Sequence, residues 1–191
     1  MQRRLGVLAL WGVLAVLAGC AATRPTQVLP ASNVAIGAFS LNGRVAVKLD
    51  DRGYTAGLRW RHSPTRDSVR LLSPIGSVMG EIEADSDGAT LTTGDKKIYR
   101  SNDVQSLTRE VLGWDLPLSR LRYWVTGRAD PALPVQAQNR DDKERLKSLL
   151  QNDWRIAFLE YFGDSALPAR LSVANDRLHL RLIVDHWELP Q

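Results

Sequence analysis

The sequence predicts a mainly β fold with inserted helices. It reads as one curled antiparallel sheet whose apolar face is covered by a few helices, with a hydrophobic cavity between the two layers. Three observations carry this reading. Apolar and polar residues alternate along most of the chain, as in Leu41, Val45, Val47 and Leu49 against Asn42, Arg44, Ala46 and Lys48. Turn signals such as Asp85-Ser86-Asp87-Gly88 punctuate those runs. A helical period occurs only mid-chain, between Ser101 and Gly127. Strands twist, so a long sheet curls, and helices that plug it incompletely leave apolar space.

Element by element, residues 41–49 form the first strand, with Gly43 as a candidate bulge. Asp50-Asp51-Arg52-Gly53 turns the chain into a strand over 54–61 that puts Leu58 and Trp60 on one face, and 69–72 is a third strand. Residues 77–84 and 89–93 flank the Asp85–Gly88 turn, and 97–100 follows Gly94-Asp95. Ser101-Asn102-Asp103 then offers an N-cap to a helix with Val104, Leu107, Val111 and Leu112 in phase, ended by Gly113. Pro117 opens a second helix with Leu118, Leu121, Trp124 and Val125 on one face and Gly127 as its stop. Residues 130–134 read as a loop. Residues 141–151 have the charge and Leu content of a helix, but 146–150, Asn152-Asp153 and 154–162 read equally well as a hairpin, the preferred assignment. Residues 171–174, a turn at Asn175-Asp176 and 177–187 give the last hairpin.

The N-terminus has another pattern. Arg3 and Arg4 precede thirteen apolar residues, 5–17, too short to span a bilayer comfortably and suited to a signal-peptide core. That run ends in Leu17-Ala18-Gly19-Cys20, the bacterial lipobox pattern. The expectation is a signal peptide over 1–19, lipid attached at Cys20, a lipidated tether over 20–36 (Ala-, Thr-, Pro- and Ser-bearing, without period) and a folded domain over 37–191. Ala21 and Ala22, rather than Asp, follow the Cys, which reads as an outer-membrane, periplasm-facing address.

Composition excludes several function classes. Lys and Arg number 25 against 21 acidic residues; without Arg3 and Arg4 the balance is 23 to 21, interspersed and with no basic block. Nucleic acid is therefore not an expected partner. A single Cys rules out a disulfide scaffold. No Gly-x-Ser-x-Gly elbow or phosphate loop occurs, and His62, His179 and His186 lack metal-ligand spacing, so no enzyme activity, metal or cofactor is expected. His179 and His186 read as solvated.

Two features call for another explanation. Trp60, Trp114, Trp124, Trp154 and Trp187 fall in the folded part, where they are either core or lining for acyl chains. Within Ser73-Pro74-Ile75-Gly76-Ser77, Pro and Gly make Ile75 a turn residue, either tucked into the core or exposed as an apolar tip toward a membrane or lipidated partner.

Taken in order, the lipobox, Phe39-Ser40-Leu41-Asn42-Gly43-Arg44-Val45, Trp60, Ser73-Pro74-Ile75-Gly76, Leu112-Gly113-Trp114-Asp115-Leu116-Pro117, Leu121-x-x-Trp124-x-x-Gly127, Trp154-Arg155-Ile156, Leu167-Pro168 and Trp187 resemble the outer-membrane lipoprotein receptor family LolB over nearly the whole mature chain. The resemblance implies an unclosed antiparallel barrel of about eleven strands with a helical lid. It implies a non-enzyme that receives lipoprotein cargo from the periplasmic carrier LolA and inserts it into the outer membrane. It maps the family's protruding leucine onto Ile75, in the membrane-insertion loop Pro74, Ile75 and Gly76. It maps the family's tryptophans onto Trp60, Trp124, Trp154 and Trp187, which with Leu107 and Leu121 are the acyl-chain cavity candidates. A monomer is expected. The rival readings are another outer-membrane lipid-binding or assembly-scaffold lipoprotein, and a lipoprotein hydrolase.

Overall fold

The structure is a computed structural model that describes residues 37–190. The expected signal peptide over 1–19, Cys20 and the expected tether over 20–36 lie outside the described residues.

Eleven strands and two helices occur among those residues: β1 (Phe39–Leu49), β2 (Arg52–His62), β3 (Arg66–Leu72), β4 (Val78–Asp85), β5 (Gly88–Thr93), β6 (Ile98–Ser101), α1 (Val104–Leu112), α2 (Leu118–Trp124), β7 (Ala137–Arg140), β8 (Leu146–Gln151), β9 (Trp154–Tyr161), β10 (Pro168–Ala174) and β11 (Leu178–Glu188). They form one antiparallel sheet in the order β6-β5-β4-β3-β2-β1-β11-β10-β9-β8-β7. The first and last strands thus pair at the centre, and the chain works outward to β6, crosses through both helices, and returns from β7. The sheet does not close: its two edges, β6 and β7, are the strands on either side of the helical insertion. This is the open curled barrel with helices that was expected.

Period 2 decides what faces inward. Val45 and Val47 of β1, Leu58 and Trp60 of β2, Val69 of β3, Ile82 of β4 and Leu180, Leu182 and Val184 of β11 belong to or pack on one core, with Leu107, Leu118, Leu121 and Trp124 from the helices. Along β11 the pleat alone would put Trp187 on the opposite face from Leu182 and Val184; a bulge opposite Asn42–Gly43 skips Asp185 and sets Trp187 against Leu41. Only glycine fits there, because a Cβ at Gly43 would lie 2.1 Å from the Ile183 carbonyl oxygen.

Both helices have caps legible in the sequence. Asp103 accepts from the Ser106 amide at 2.8 Å, and Gly113, at φ 79°, closes α1 by donating to the Arg109 carbonyl. The α2 helix stops at Trp124, earlier than Gly127 suggests: Val125 still bonds to the Leu121 carbonyl, but Thr126 and Gly127 bond to Tyr123 and Trp124 in a tightened last turn, and Gly127 is left-handed at φ 76°. The 146–162 segment is the preferred hairpin. Its turn residues Asn152 and Asp153 have φ of 49° and 65°, the two left-handed positions of a two-residue turn. The strand β7 is a correction, since no strand was assigned at 137–140. Ala137, Gln138, Asn139 and Arg140 are all exposed, so no apolar alternation marks them, and pairing with β8 alone makes them a strand.

Candidate functional site

Between the sheet and the helical corner lies an apolar cavity of about 90 Å³ with no polar atom on its wall. The sheet contributes Val47, Leu58, Trp60, Leu71 and Ile82; the opposite wall is Leu112, Trp114, Leu116, Leu118 and Leu121. Leu112 lines the cavity and is also 43% exposed, so it marks the mouth. A larger groove on the outer face, about 830 Å³, runs between Arg61, Arg66 and Arg100 and the carboxylates of Glu83 and Asp85. It is open and charged, which suits water rather than hydrocarbon.

The corner between the helices is stapled to itself. Arg109 donates through Nε and Nη2 to the two carboxylate oxygens of Asp115, both at 2.7 Å. Thr108 Oγ1 donates to the Val104 carbonyl at 2.9 Å and accepts from the Leu116 amide at 2.9 Å. The Arg109 hydrogen bonds hold the Asp115 carboxyl below its ordinary range, and the Ser106 amide does the same for Asp103. Among the described residues, no side-chain or turn hydrogen bond ties residues 104–122 to a strand.

On the other side of the cavity, Trp60 is fixed by a hydrogen bond from Nε1 to Asp67 at 2.7 Å. The same Asp67 oxygen lies 2.8 Å from Nδ1 of His62, a buried histidine that stacks beside Phe39. Asp67 thus satisfies two buried N–H groups behind an apolar wall.

Of the predicted cavity residues, Trp60 and Leu121 line this space. Leu107 is wholly buried in the same core. Trp124 and Trp154 pack on each other with centroids 5.8 Å apart and do not line this cavity. Trp187 is half-buried, edge-on to Phe39 at 5.4 Å, with Nε1 donating to the Pro168 carbonyl. Trp114, one of the five tryptophans read as core or lining, also lines it, whereas the corner residues Leu112 and Leu116 carried no such expectation. Their signal was Gly113, whose left-handed conformation folds the following residues back over the sheet.

The β3–β4 turn has the expected shape. Gly76 donates to the Ser73 carbonyl and Ser73 to that of Ser77, each at 2.8 Å, with Gly76 at φ 83°. Pro74 and Ile75 occupy the centre of the turn, so the Ile75 side chain has no sheet to fold against and stands 89% exposed. Val78 and Met79 beside it are also exposed.

A family model described as Outer membrane lipoprotein LolB matches residues 37–187. The chain belongs to the LolB family. Its LolB relatives are similar from end to end. An outer-membrane lipoprotein LolB of Nitrosomonas europaea is 34% identical over 191 residues, covering 93% of this chain and 90% of its own. One of Chromobacterium violaceum is 36% identical over 98% of this chain and 100% of its own, and one of Thiobacillus denitrificans 33% identical over 98% of both. In this LolB chain the cavity and the tip are adjacent in sequence. Leu71 on the wall is in β3 and Ile75 is in the turn that follows it, four residues later.

Proposed function

We propose that this chain is an outer-membrane lipoprotein, acylated at Cys20 after removal of residues 1–19, that takes lipoproteins from the carrier LolA. It holds their acyl chains in the apolar cavity and delivers them, as a monomer and without ATP, to the inner leaflet of the outer membrane. The observation that carries this reading is the pairing of a wall without polar atoms, to which β3 contributes, with an exposed aliphatic tip in the turn that follows β3.

Energetics explain why no fuel is needed. Acyl chains in water are disfavoured by about 0.8 kcal/mol per methylene, so a lipoprotein crosses the periplasm only inside a protein. Moving from one apolar cavity to another and then to a bilayer nearly conserves apolar contact. The drive is the small difference in how well each site fits the chains.

A cavity of about 90 Å³ is well below the roughly 300 Å³ at which small-molecule sites begin, so the wall must part to admit a chain. The helical corner is the wall that moves, because apolar contact alone holds it to the sheet. Cross-linking that corner to the sheet should stop transfer; transfer at the normal rate would refute the gate.

The main test mixes the purified protein, carrier loaded with labelled lipoprotein, and vesicles. Ile75→Glu should still take the label from the carrier and then retain it, with incorporation into vesicles down at least tenfold. Its thermal stability should be unchanged, because Ile75 packs against nothing. Normal incorporation would remove Ile75 from the mechanism. Hydrolysis of an ester substrate would favour the enzyme reading.

A further inference from the structure

The chain enters the barrel at the end opposite Ile75. Phe39, the first residue of β1, pairs with His62, next to the β2–β3 turn; Leu49, at the far end of β1, pairs with Arg52. The β3 strand runs back from Arg66 to Leu72, which is level with Gly57 and through it Arg44, so the Ile75 turn projects past the middle of β1 toward the Leu49–Arg52 end. From Phe39 to the level of Arg44 is five residue steps, about 17 Å along the strand, and the turn adds about 5–7 Å. With the strand tilt usual for a barrel, Phe39 and the tip are about 17–24 Å apart along the axis. Any lipid at Cys20 therefore belongs to the wrong end of the molecule for Ile75 to meet the same membrane, unless the intervening chain runs back past the barrel.

From Cys20 to Phe39 is nineteen residue steps. Fully extended they reach about 63–68 Å, roughly three times the distance required. We propose that the segment between Cys20 and Phe39 sets the orientation of the domain: its length lets the Ile75 end face the leaflet that holds the anchor. A tether of fewer than about five steps, spanning under about 17 Å, holds the opposite end against the membrane and Ile75 away from it. This rests on the proposed acylation of Cys20 and the proposed role of Ile75. It has a consequence that neither carries alone, namely that a short leash is worse than none.

The test compares four proteins: the full lipidated chain, a lipidated chain lacking residues 22–36, the same deletion refilled with an equally long Gly-Ser segment, and a chain that starts after Cys20 and carries no lipid. The first readout is membrane contact by an environment-sensitive fluorophore on Ile75→Cys, with phosphatidylethanolamine–phosphatidylglycerol vesicles and no cargo. The full and refilled chains should show the blue shift of an apolar environment, and the deletion should lose it. The second readout is transfer of labelled lipoprotein from the carrier. The deletion should accept label normally and incorporate it at least tenfold more slowly than the full, refilled and lipid-free chains. A blue shift in the deletion equal to that of the full chain overturns the proposal, as does a refilled or lipid-free chain that fails alongside it. If the full chain shows the blue shift yet transfers no label, the receptor reading fails while the orientation stands. If it shows no shift at all, the orientation proposal fails.

Discussion

The inside of the barrel has two unlike halves. Under β1–β4, facing the α1–α2 corner, it is a void with no polar atom and a mouth at Leu112. Under β8–β10, facing the end of α2, it is filled: Trp124, Ile156, Leu171 and Val173 are almost wholly buried. There Gln151, fully buried, uses its whole amide. Its Oε1 accepts from Trp124 Nε1 at 3.0 Å and from the Asp130 amide at 2.9 Å, and its Nε2 donates to the carbonyls of Asp130 and Leu133 at 2.8 and 3.0 Å. Directional bonds permit one arrangement, whereas apolar contact permits many of similar energy. One insertion is therefore pinned at Trp124 and free at Leu112–Leu116. The geometry is that of a lever, with its pivot in the filled half and its opening over the void.

The contrast is broken most directly at the pivot. Gln151→Leu keeps the apolar volume but leaves up to four buried partners without a hydrogen bond, at about 1–3 kcal/mol for each group that water does not reach. A loss of at least about 3 kcal/mol is expected from the urea midpoint, with Trp124 fluorescence shifting as its indole loses its acceptor. A loss under about 1 kcal/mol would mean that the pivot is no firmer than the corner.

A gentler comparison adds one methylene to each half. Val173→Leu forces volume into a filled core and should cost about 1–3 kcal/mol. Val69→Leu points into the cavity wall, where about 90 Å³ stands empty, and should leave stability within about 0.5 kcal/mol. The same Val69→Leu should slow uptake of cargo from the carrier, since the added volume occupies space meant for chains. Equal costs at the two positions would show that the void collapses in solution.

The two halves were not equally legible in the sequence. Alternation located ten strands, the caps at Asp103 and Gly113 bounded α1, and Pro74 with Gly76 marked Ile75 as a turn residue, leaving its exposure open. Each of these is a local signal, carried within a few residues. The pivot had none. Gln151 lies at the end of an amphipathic strand, where a polar residue reads as solvent-facing, and its partners come from 18 to 27 residues earlier in the chain. Strand β7 was hidden for the same reason: with all four residues exposed, only its partner defines it. Trp60 and Trp124 look alike in sequence, yet one indole is oriented by Asp67 at the cavity and the other by Gln151 at the pivot.

The smallest expected effect is one of pH, and it separates the halves by chemistry. The corner is held by carboxylates: Asp103 caps α1 and Asp115 pairs with Arg109, each with its pKa below the ordinary carboxylate value. A group lowered by folding contributes stability above its unfolded pKa, near about 3.9 for Asp, and loses it as pH falls through the folded value. The pivot is held by amides and an indole, which do not titrate there. Acidification from pH 7 to below about 4 should therefore lower hydrogen-exchange protection across α1, corrected for intrinsic rate, before it lowers protection around Gln151. Both carboxylates are exposed and screened, so the change in α1 should be modest, and 0.5 M salt should reduce the part due to Arg109–Asp115 more than the part due to the cap. Asp115→Asn should abolish that salt-sensitive part at neutral pH. If the two halves instead lost protection together, the corner and the pivot would be one cooperative unit, and the lever would have no hinge.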